Sequence, residues 1–505
     1  MDKNGSSRIL TNTLALYVRM IILTIISLFT YRVVFRSLGA SDYGTYNVVG
    51  GFVSMFNFVS GTLIIASQRY FAVGLASGDW DVVNRYFSVN MVIYVLLSAV
   101  ILLLAETVGL WFVTTRLNVD YSRMTDIVIV YETSIFTFLI GMLVSPFLAL
   151  LVADENLSIY SWISIIEGFL KICVAYVLYA VRGNRLSIYA FLLLFVSIVI
   201  NGTYVIYCLK KYRKLRFTIC RDKEEYRSVF TFINWNMIGA IAAVCKSQGI
   251  NIIINIFFGT VVNAARAVAY QLNATISSFT QNFMKAVDPH ITKTYANGDE
   301  GRFLNALYTS SKISYYLLLA IAVPFIANAE FVLTLWLGEI PEYTVIFTVL
   351  ALTDALVLSI TEPVLTAVQA VGKVKEYQLT VGILALLNLP LSYLALKLTS
   401  NPLIPFVVAI LLDAFITIGR LVNFKRLHPF SISKYCIHIL VPALLITAAS
   451  VWINMNYLSN AGSFGRLVAN VAICEVIMAA LIFTIGLNQR ERLLLKNLLP
   501  FKRRV

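Results

Sequence analysis

Long apolar runs are the feature that most constrains what this chain can fold into. A helix rises about 1.5 Å per residue, so roughly 20 mostly apolar residues cross the hydrocarbon core of a bilayer. Such runs occur fourteen times, at residues 10–38, 43–68, 87–113, 127–152, 158–181, 187–209, 229–257, 261–283, 304–328, 343–370, 377–398, 402–424, 437–457 and 466–487. The pattern predicts an all-α polytopic membrane protein with about fourteen transmembrane helices.

The composition supports this prediction. Charged residues make up 13% of the 505 residues and hydrophobic residues 59%, whereas a soluble domain carries about 25% charged residues. The six cysteines show no C-x-x-C spacing, and there are only three histidines. We therefore expect no metal site and no cofactor.

The distribution of Lys and Arg predicts the orientation. With fourteen spans and the N-terminus inside, the inner segments hold 26 Lys and Arg residues and the outer loops 6. Cytoplasmic loops of membrane proteins carry such an excess, so both termini are expected in the cytoplasm. The formal net charge of +14 is then explained by these loops, and no nucleic-acid partner is expected.

An internal repeat is visible when the chain is shifted by 220 residues. The shift superimposes the first six apolar runs on the seventh to twelfth, and it aligns Gly39 with Gly259 and Gly78 with Gly298. Two six-helix units that begin and end on the same membrane face form a parallel repeat. The predicted organisation is an N-terminal lobe (1–209), a basic cytoplasmic loop (210–228), a C-terminal lobe (229–424), two further helices (425–487) and a basic cytoplasmic tail (488–505).

No enzyme signature is present. The sequence has no G-x-x-x-x-G-K-[ST], H-E-x-x-H or G-x-S-x-G motif. The predicted outer loops are also too short to hold the catalytic acids or arginines of a membrane glycosyltransferase or polymerase. We expect a transporter and not an enzyme.

Polar residues form a stripe within the eighth run, and polar and small residues occupy the same face of the second run. The polar members proposed to line a cavity are Asn47, Asn57, Tyr270, Asn273 and Ser277, and the eighth-run stripe also holds Arg266 and Gln281. Small and polar residues also pack transmembrane helices against each other. Helix packing is therefore the alternative interpretation for most of them.

Four cations lack an acid three or four residues away: Arg19, Arg32, Lys246 and Arg266. Helices 1, 2, 7 and 8 sit at equivalent places in the two repeats, so these cations are predicted to line one central cavity and to bind an anion, with Arg suited to phosphate oxygens. Pairing with Glu132 or Asp354 is the alternative. Lys246 does not share a helix face with Gln248, Asn251 and Asn255, so one of these two sets points elsewhere.

The other cations within the apolar runs have structural explanations. Arg36, Lys312 and Arg420 lie near helix ends, from which their head groups are expected to reach the interface. Lys171 follows Glu167 by one helical turn, so an intrahelical ion pair is expected.

Two acids and two prolines occupy similar places in the two repeats. Glu132 and Asp354 are candidates for ion coupling, since desolvation favours protonation of a carboxylate. Pro146 and Pro363 interrupt the same two runs and are predicted to mark bends that gate a site.

Two segments resemble a known family. The first is Arg36-Ser-Leu-Gly-Ala-Ser-Asp-Tyr-Gly-Thr-Tyr-Asn-Val-Val-Gly-Gly51, followed by Ala66-Ser-Gln-Arg-Tyr-Phe71. The second is Asn282-Phe-Met-Lys-Ala-Val-Asp-Pro-His290, with Tyr295-Ala-Asn-Gly-Asp299. Together they resemble bacterial polysaccharide flippases of the Wzx type, in the multidrug/oligosaccharidyl-lipid/polysaccharide (MOP) exporter superfamily.

The resemblance implies a MATE-like pair of six-helix lobes that work by alternating access in the bacterial cytoplasmic (inner) membrane. It further implies that the cargo is an undecaprenyl-pyrophosphate-linked glycan for a surface polysaccharide, such as lipopolysaccharide O-antigen or capsule. Membrane lipid and the polysaccharide polymerase machinery are the implied partners. The alternatives are a drug or cation antiporter of the same superfamily and, with less support, a membrane glycosyltransferase or polymerase.

Overall fold

A computed structural model describes residues 3–154, 156–181, 183–218, 244–371, 374–459, 461–489 and 491–492. Most of the described residues are helical, and they contain no β-strand. The backbone contacts divide the chain into two compact units, Met1–Ala264 and Ala265–Val505.

Seven α-helices lie wholly in the first unit: α1 (Lys3–Ser54), α2 (Asn57–Ser77), α3 (Trp80–Leu104), α4 (Leu110–Thr115), α5 (Met124–Ala153), α6 (Leu157–Ala180) and α7 (Arg185–Lys211). A π-helical turn, Ala105–Gly109, joins α3 to α4, and a second π-helical turn, Cys245–Gly249, leads into α8 (Ile250–Ala296). The boundary between the two units falls within α8.

The second unit continues with α9 (Glu300–Ala327), α10 (Ala329–Leu337), α11 (Thr344–Ser359), α12 (Glu362–Val371), α13 (Val374–Thr399), α14 (Ile404–Leu427), α15 (Ile432–Tyr435), α16 (Val441–Tyr457) and α17 (Phe464–Leu481). Two more π-helical turns follow α15 and α17, at Cys436–Leu440 and Ile482–Gly486.

The described residues contain twelve apolar segments that are long enough to cross a membrane. Two of them, in α1 and α8, are each two helices that meet at a kink, at Gly39 and Gly259. Counting each kinked segment twice gives fourteen spans, and the predicted all-α, multi-pass membrane fold is confirmed.

The repeat is also visible in the backbone. Gly39 and Gly259, the pair aligned by the 220-residue shift, have φ angles of 77° and 78°. Gly78 and Gly298, the second aligned pair, both have φ of 71°. The residue after each of these, Asp79 or Asp299, caps the next helix by accepting hydrogen bonds from its first backbone N–H groups.

Each unit has its own apolar core. In the first unit, α1, α2, α3 and α5 bury residues such as Val49, Tyr94 and Tyr131. In the second, α9 is central, and Leu319 and Tyr435 belong to a core shared with α12, α14 and the last helices.

Arg123 connects three helix ends of the first unit. Its Nη1 lies 2.5 Å from Asp42 Oδ1, its Nε 3.2 Å from Asp126 Oδ2, and its Nη2 3.3 Å from Asn184 Oδ1. Burial lowers the pKa of Arg123, but the hydrogen bonds to the two aspartates outweigh burial and raise it. The cluster fixes the start of α5 against α1 and α7.

Several sequence predictions need correction. The second run was expected to end near residue 68, but α2 continues to Ser77 because Phe71 and Gly74 are buried. The run 343–370 is divided between α11 and α12. Part of the run 229–257, part of the loop 210–228 and most of the tail 488–505 lie outside the described residues.

Lys312 was expected to reach the membrane interface, and this prediction was wrong. The side chain is buried, and its Nζ donates to Glu491 Oε2 at 3.0 Å and Oε1 at 3.3 Å. The chain following α17 returns to α9, so Glu491 neutralises the lysine inside the protein. This ion pair holds the segment that follows α17 against α9.

Candidate functional site

A large cavity lies inside the first unit. Its volume is about 890 Å³, and α1, α2, α5, α6 and α7 supply its lining. Asn57, predicted from the polar face of the second run, lines this cavity together with Gly50 and Ser54 from the same face. A volume of this size is within the range of small-molecule binding pockets, about 300–1,000 Å³.

Hydroxyl-bearing side chains make up nearly half of the lining of the first-unit cavity. Ten serine and threonine side chains and six tyrosines contribute to it. Its two charged residues, Glu167 and Lys171, form the predicted ion pair, with Lys171 Nζ 2.6 Å from Glu167 Oε1. The described lining therefore has no net formal charge.

Several of these hydroxyl groups can act as hydrogen-bond acceptors for a ligand. Ser54 donates to the carbonyl of Gly51, Ser145 to that of Gly141 and Ser164 to that of Tyr160, at 2.8–2.9 Å. A hydroxyl that donates its single proton still has lone pairs to accept with. Ligand O–H or N–H groups are therefore the complementary partners for these side chains.

A second, smaller cavity of about 260 Å³ lies in the second unit. It brings together the predicted residues Asn273, Ser277 and Asp354, which come from α8 and α11. The two polar stripe residues and the predicted coupling acid therefore share one site. Gln281 also lines this cavity.

Two charged residues of the second-unit cavity were not predicted as site residues from the sequence. Glu362, at the start of α12, lines it, and so does Arg420 from α14, whose Nη1 lies 3.4 Å from Thr361 Oγ1. Arg420 was expected to reach the membrane interface, but it faces this polar cavity instead. The sequence signal that could have identified Glu362 is the Glu362-Pro363 dipeptide, since a proline within an apolar run marks a helix break.

The four predicted anion-binding cations are described to different extents. The Arg19 side chain lies outside the described residues. Arg32 and Lys246 are half-buried in the first unit, and Arg266 is buried in the second, with 5% exposure. The linings described above contain none of these three. Their placement around one central cavity remains a prediction.

Arg266 contacts the next residue of its predicted stripe. Its guanidinium carbon lies 4.1 Å from the centroid of the Tyr270 ring, one helical turn along α8. This cation–π contact compensates part of the cost of burying the charge.

Glu132 has an acidic neighbour. Its carboxyl group lies within hydrogen-bonding reach of Glu106, which belongs to the π-helical turn after α3. Tyr131 supports this turn by donating to the carbonyl of Ala105 at 2.8 Å.

The two prolines occupy different backbone environments. Pro146 lies inside the unbroken helix α5, whereas Pro363 is the second residue of α12, just after the break that follows α11. Both side chains are buried.

Asparagines connect α8 to the rest of the first unit. Asn251 Nδ2 lies 3.3 Å from Asn47 Oδ1, and Asn263 Nδ2 donates to Asn251 Oδ1 at 2.7 Å. Asn255 exchanges two hydrogen bonds with the backbone of Asn118, at 2.9 and 3.1 Å. Asn47, predicted as a cavity residue, thus takes part in helix packing, and the linings described above do not include it.

The fold matches solved transporter structures at low sequence identity. A multidrug resistance MATE family transporter of the MOP superfamily, in an inward-facing conformation, has a TM-score of 0.62 at 14% identity, covering 83% of this chain and 99% of that one. The lipid II flippase MurJ, in an inward closed conformation, has a TM-score of 0.66 at 12% identity, covering 94% and 99%. This chain has the MOP transporter fold.

A MOP superfamily transporter from Pyrococcus furiosus gives a similar result, with a TM-score of 0.60 at 12% identity, covering 82% of this chain and 95% of that one. No protein-family model matches the sequence, and neither does any curated protein. The sequence resemblance to the MOP superfamily and the structural matches agree on the fold.

Proposed function

We propose that this protein is a flippase. It moves undecaprenyl-pyrophosphate-linked oligosaccharide units across the bacterial cytoplasmic membrane by alternating access, for the synthesis of a surface polysaccharide. Both termini lie in the cytoplasm, and the polysaccharide polymerase machinery uses the product.

The extent of the match to a lipid flippase carries this proposal. The lipid II flippase structure covers 94% of the chain, and the inward-facing multidrug transporter structure covers 83%. The match to the flippase structure thus extends over about 55 more residues of this chain than the match to the multidrug transporter. This fuller coverage favours a lipid-linked cargo over a drug.

The membrane cations supply the chemistry for the pyrophosphate. Moving a diphosphate through hydrocarbon without compensation is prohibitively costly. Arg19, Arg32, Lys246 and Arg266 provide positive charge within the spans, and guanidinium groups match phosphate oxygens geometrically. In this proposal they receive the pyrophosphate, while the prenyl chain stays in lipid.

Asp354 and Glu132 are the proposed coupling acids. Asp354 faces the second-unit cavity with Glu362 and Arg420, and Glu132 adjoins Glu106. A change in the protonation or ion occupancy of either site alters local charge and can favour one conformation over another. Pro146 and Pro363 are the proposed bending points.

Deleting the gene tests the proposed function. Lipid-linked glycans are extracted from the deletion strain, and their membrane face is determined by their accessibility to an impermeant glycosidase. We expect complete repeat units to accumulate on the cytoplasmic face, and restoration by the wild-type gene. Truncated units would indicate a glycosyltransferase, and normal outward delivery with increased drug sensitivity would indicate an antiporter.

A further inference from the structure

The first-unit cavity provides a ligand site separate from the membrane cations. Hydroxyl and amide side chains make up about half of its lining, apolar residues and glycines supply most of the rest, and its two charged residues neutralise each other at 2.6 Å. A charged ligand gains little from such a lining, because no unpaired charge of the opposite sign is available among its described residues. The lining suits a ligand that is polar and uncharged.

The hydrogen-bonding capacity of the lining further limits the classes of ligand that fit. Ser54, Ser145 and Ser164 already donate to backbone carbonyls of their own helices. They can accept from a ligand but have no second proton to give. A phosphate oxygen only accepts, so these side chains would have to break their bonds to the backbone to bind it, whereas each sugar hydroxyl can donate to them as they stand.

Two buried hydroxyls in the lining also have unused capacity. Thr30 Oγ1 and Ser60 Oγ are shielded from solvent and have no hydrogen-bond partner within the described structure. An unsatisfied buried polar group costs about 1–3 kcal/mol, so a ligand that bonds to it recovers part of that cost.

Tyrosines add apolar contact to this polar lining. Tyr160 and Tyr204 lie on α6 and α7, with ring centroids 6.4 Å apart, and both line the cavity. A tyrosine ring offers an apolar face beside a hydrogen-bonding hydroxyl, and a pyranose likewise has an apolar C–H face beside its hydroxyls.

We infer that the first-unit cavity binds uncharged sugar residues of the transported glycan, while the pyrophosphate binds elsewhere. This inference rests on the proposed function and assigns the sugar-recognition site to α1, α2, α5, α6 and α7. Specificity for the glycan then depends on this lining.

Two glycines of the lining have open space where a side chain would begin. Gly141 and Gly50 line the cavity, and a Cβ atom added at either one meets no heavy atom within 4 Å. Gly141→Leu and Gly50→Leu therefore place side chains into the cavity. Gly202→Leu is the matched control, since Gly202 on α7 also has open space but is not part of the lining.

The test measures binding to the full-length protein in nanodiscs with two ligands. One is undecaprenyl pyrophosphate, and the other is the same lipid carrying the complete repeat unit extracted from the deletion strain. We expect Gly141→Leu and Gly50→Leu to weaken binding of the sugar-bearing lipid by about tenfold or more, and to change binding of the sugar-free lipid by less than about twofold. Gly202→Leu should change neither.

Monodisperse elution and an unchanged melting temperature confirm that each variant is folded. Because there are two independent filling variants, the test can still be made if one of them misfolds. If both fill the cavity and neither weakens binding of the sugar-bearing lipid selectively, the sugar site is not in this cavity. If the wild-type protein binds neither lipid, the proposed function fails, and this inference fails with it.

Discussion

Gly39 and Gly259 stand 220 residues apart and share one backbone conformation, with φ of 77° and 78° and ψ of 172° and −169°. This region of backbone space is almost restricted to glycine. Each glycine joins two membrane-spanning helices at the same place in its repeat. Glycine at these two positions therefore permits the kinks, and the same kink conformation occurs in both halves of the chain.

Replacing either kink glycine with alanine is expected to destabilise the protein. A Cβ at Gly39 meets no atom within 4 Å, so the cost is backbone strain alone, about 1–3 kcal/mol. Thermal unfolding of the purified protein measures it as a lower melting temperature. Gly202→Ala is the control, because Gly202 lies inside α7 with open space around it and alanine is favoured in helices. Equal melting temperatures for Gly39→Ala and Gly202→Ala would contradict the strain argument.

The buried pair Lys312–Glu491 makes a second prediction. Lys312→Met leaves the Glu491 carboxylate buried without its cation, at a cost of about 3–5 kcal/mol. The double variant Lys312→Met/Glu491→Gln removes both charges and should recover most of this loss. The measurement is a double-mutant cycle on unfolding.

The half-exposed pair Lys171–Glu167 serves as the comparison for that cycle. Its side chains are 44% and 36% exposed, so its coupling should be only about 0.3–0.5 kcal/mol. A coupling at Lys312–Glu491 as small as this would show that the buried pair does not hold the segment after α17 against α9.

The membrane cations make a functional prediction. Combined alanine substitution of Arg19, Arg32, Lys246 and Arg266 should abolish glycan export in a complemented deletion strain, because the pyrophosphate loses its compensating charge. The matched control replaces four exposed cations, Arg213, Lys397, Lys425 and Arg466, and should retain export. Export that survives the first set, with expression unchanged, contradicts the proposed anion site.

The substitution Asp354→Asn tests ion coupling. Asparagine keeps the size of the side chain but cannot carry a negative charge, so the variant should transport without responding to a proton or sodium gradient. Flux in proteoliposomes with and without each gradient is the measurement. Glu330→Gln is the control, since Glu330 is exposed and should leave the response intact. A gradient response that persists in Asp354→Asn removes this residue from the coupling site.

The fold could be predicted because its signals are local or periodic. Twenty-residue apolar runs determine the spans, and the spacing of Gly39, Gly78, Gly259 and Gly298 revealed the repeat before their backbone angles were known. The extension of α2 to Ser77 was missed because its last turns are less apolar and are held by packing against α3 through residues such as Gly74 and Val83.

The sites were less predictable because they depend on long-range contacts. Asn273, Ser277 and Asp354 could be selected as polar residues within apolar runs, but Arg420 meets them through a helix that is distant in sequence. Lys312 forms an ion pair with Glu491, which is 179 residues later in the sequence. Nearly half of the residues that line the first-unit cavity are serine, threonine or tyrosine, spread over five helices, and no single helix carries a recognisable motif for the cavity.

The most direct test of the central claim is translocation by the purified protein. Proteoliposomes are loaded with the undecaprenyl-pyrophosphate-linked repeat unit, and an impermeant glycosidase added outside cleaves only outer-leaflet glycan. The account predicts that wild-type protein makes the inner-leaflet pool cleavable with time, whereas the four-cation alanine variant leaves about half of the glycan protected, as in protein-free vesicles with evenly distributed lipid. Equal protection with wild-type protein and with protein-free vesicles, under every gradient applied, would contradict the flippase assignment.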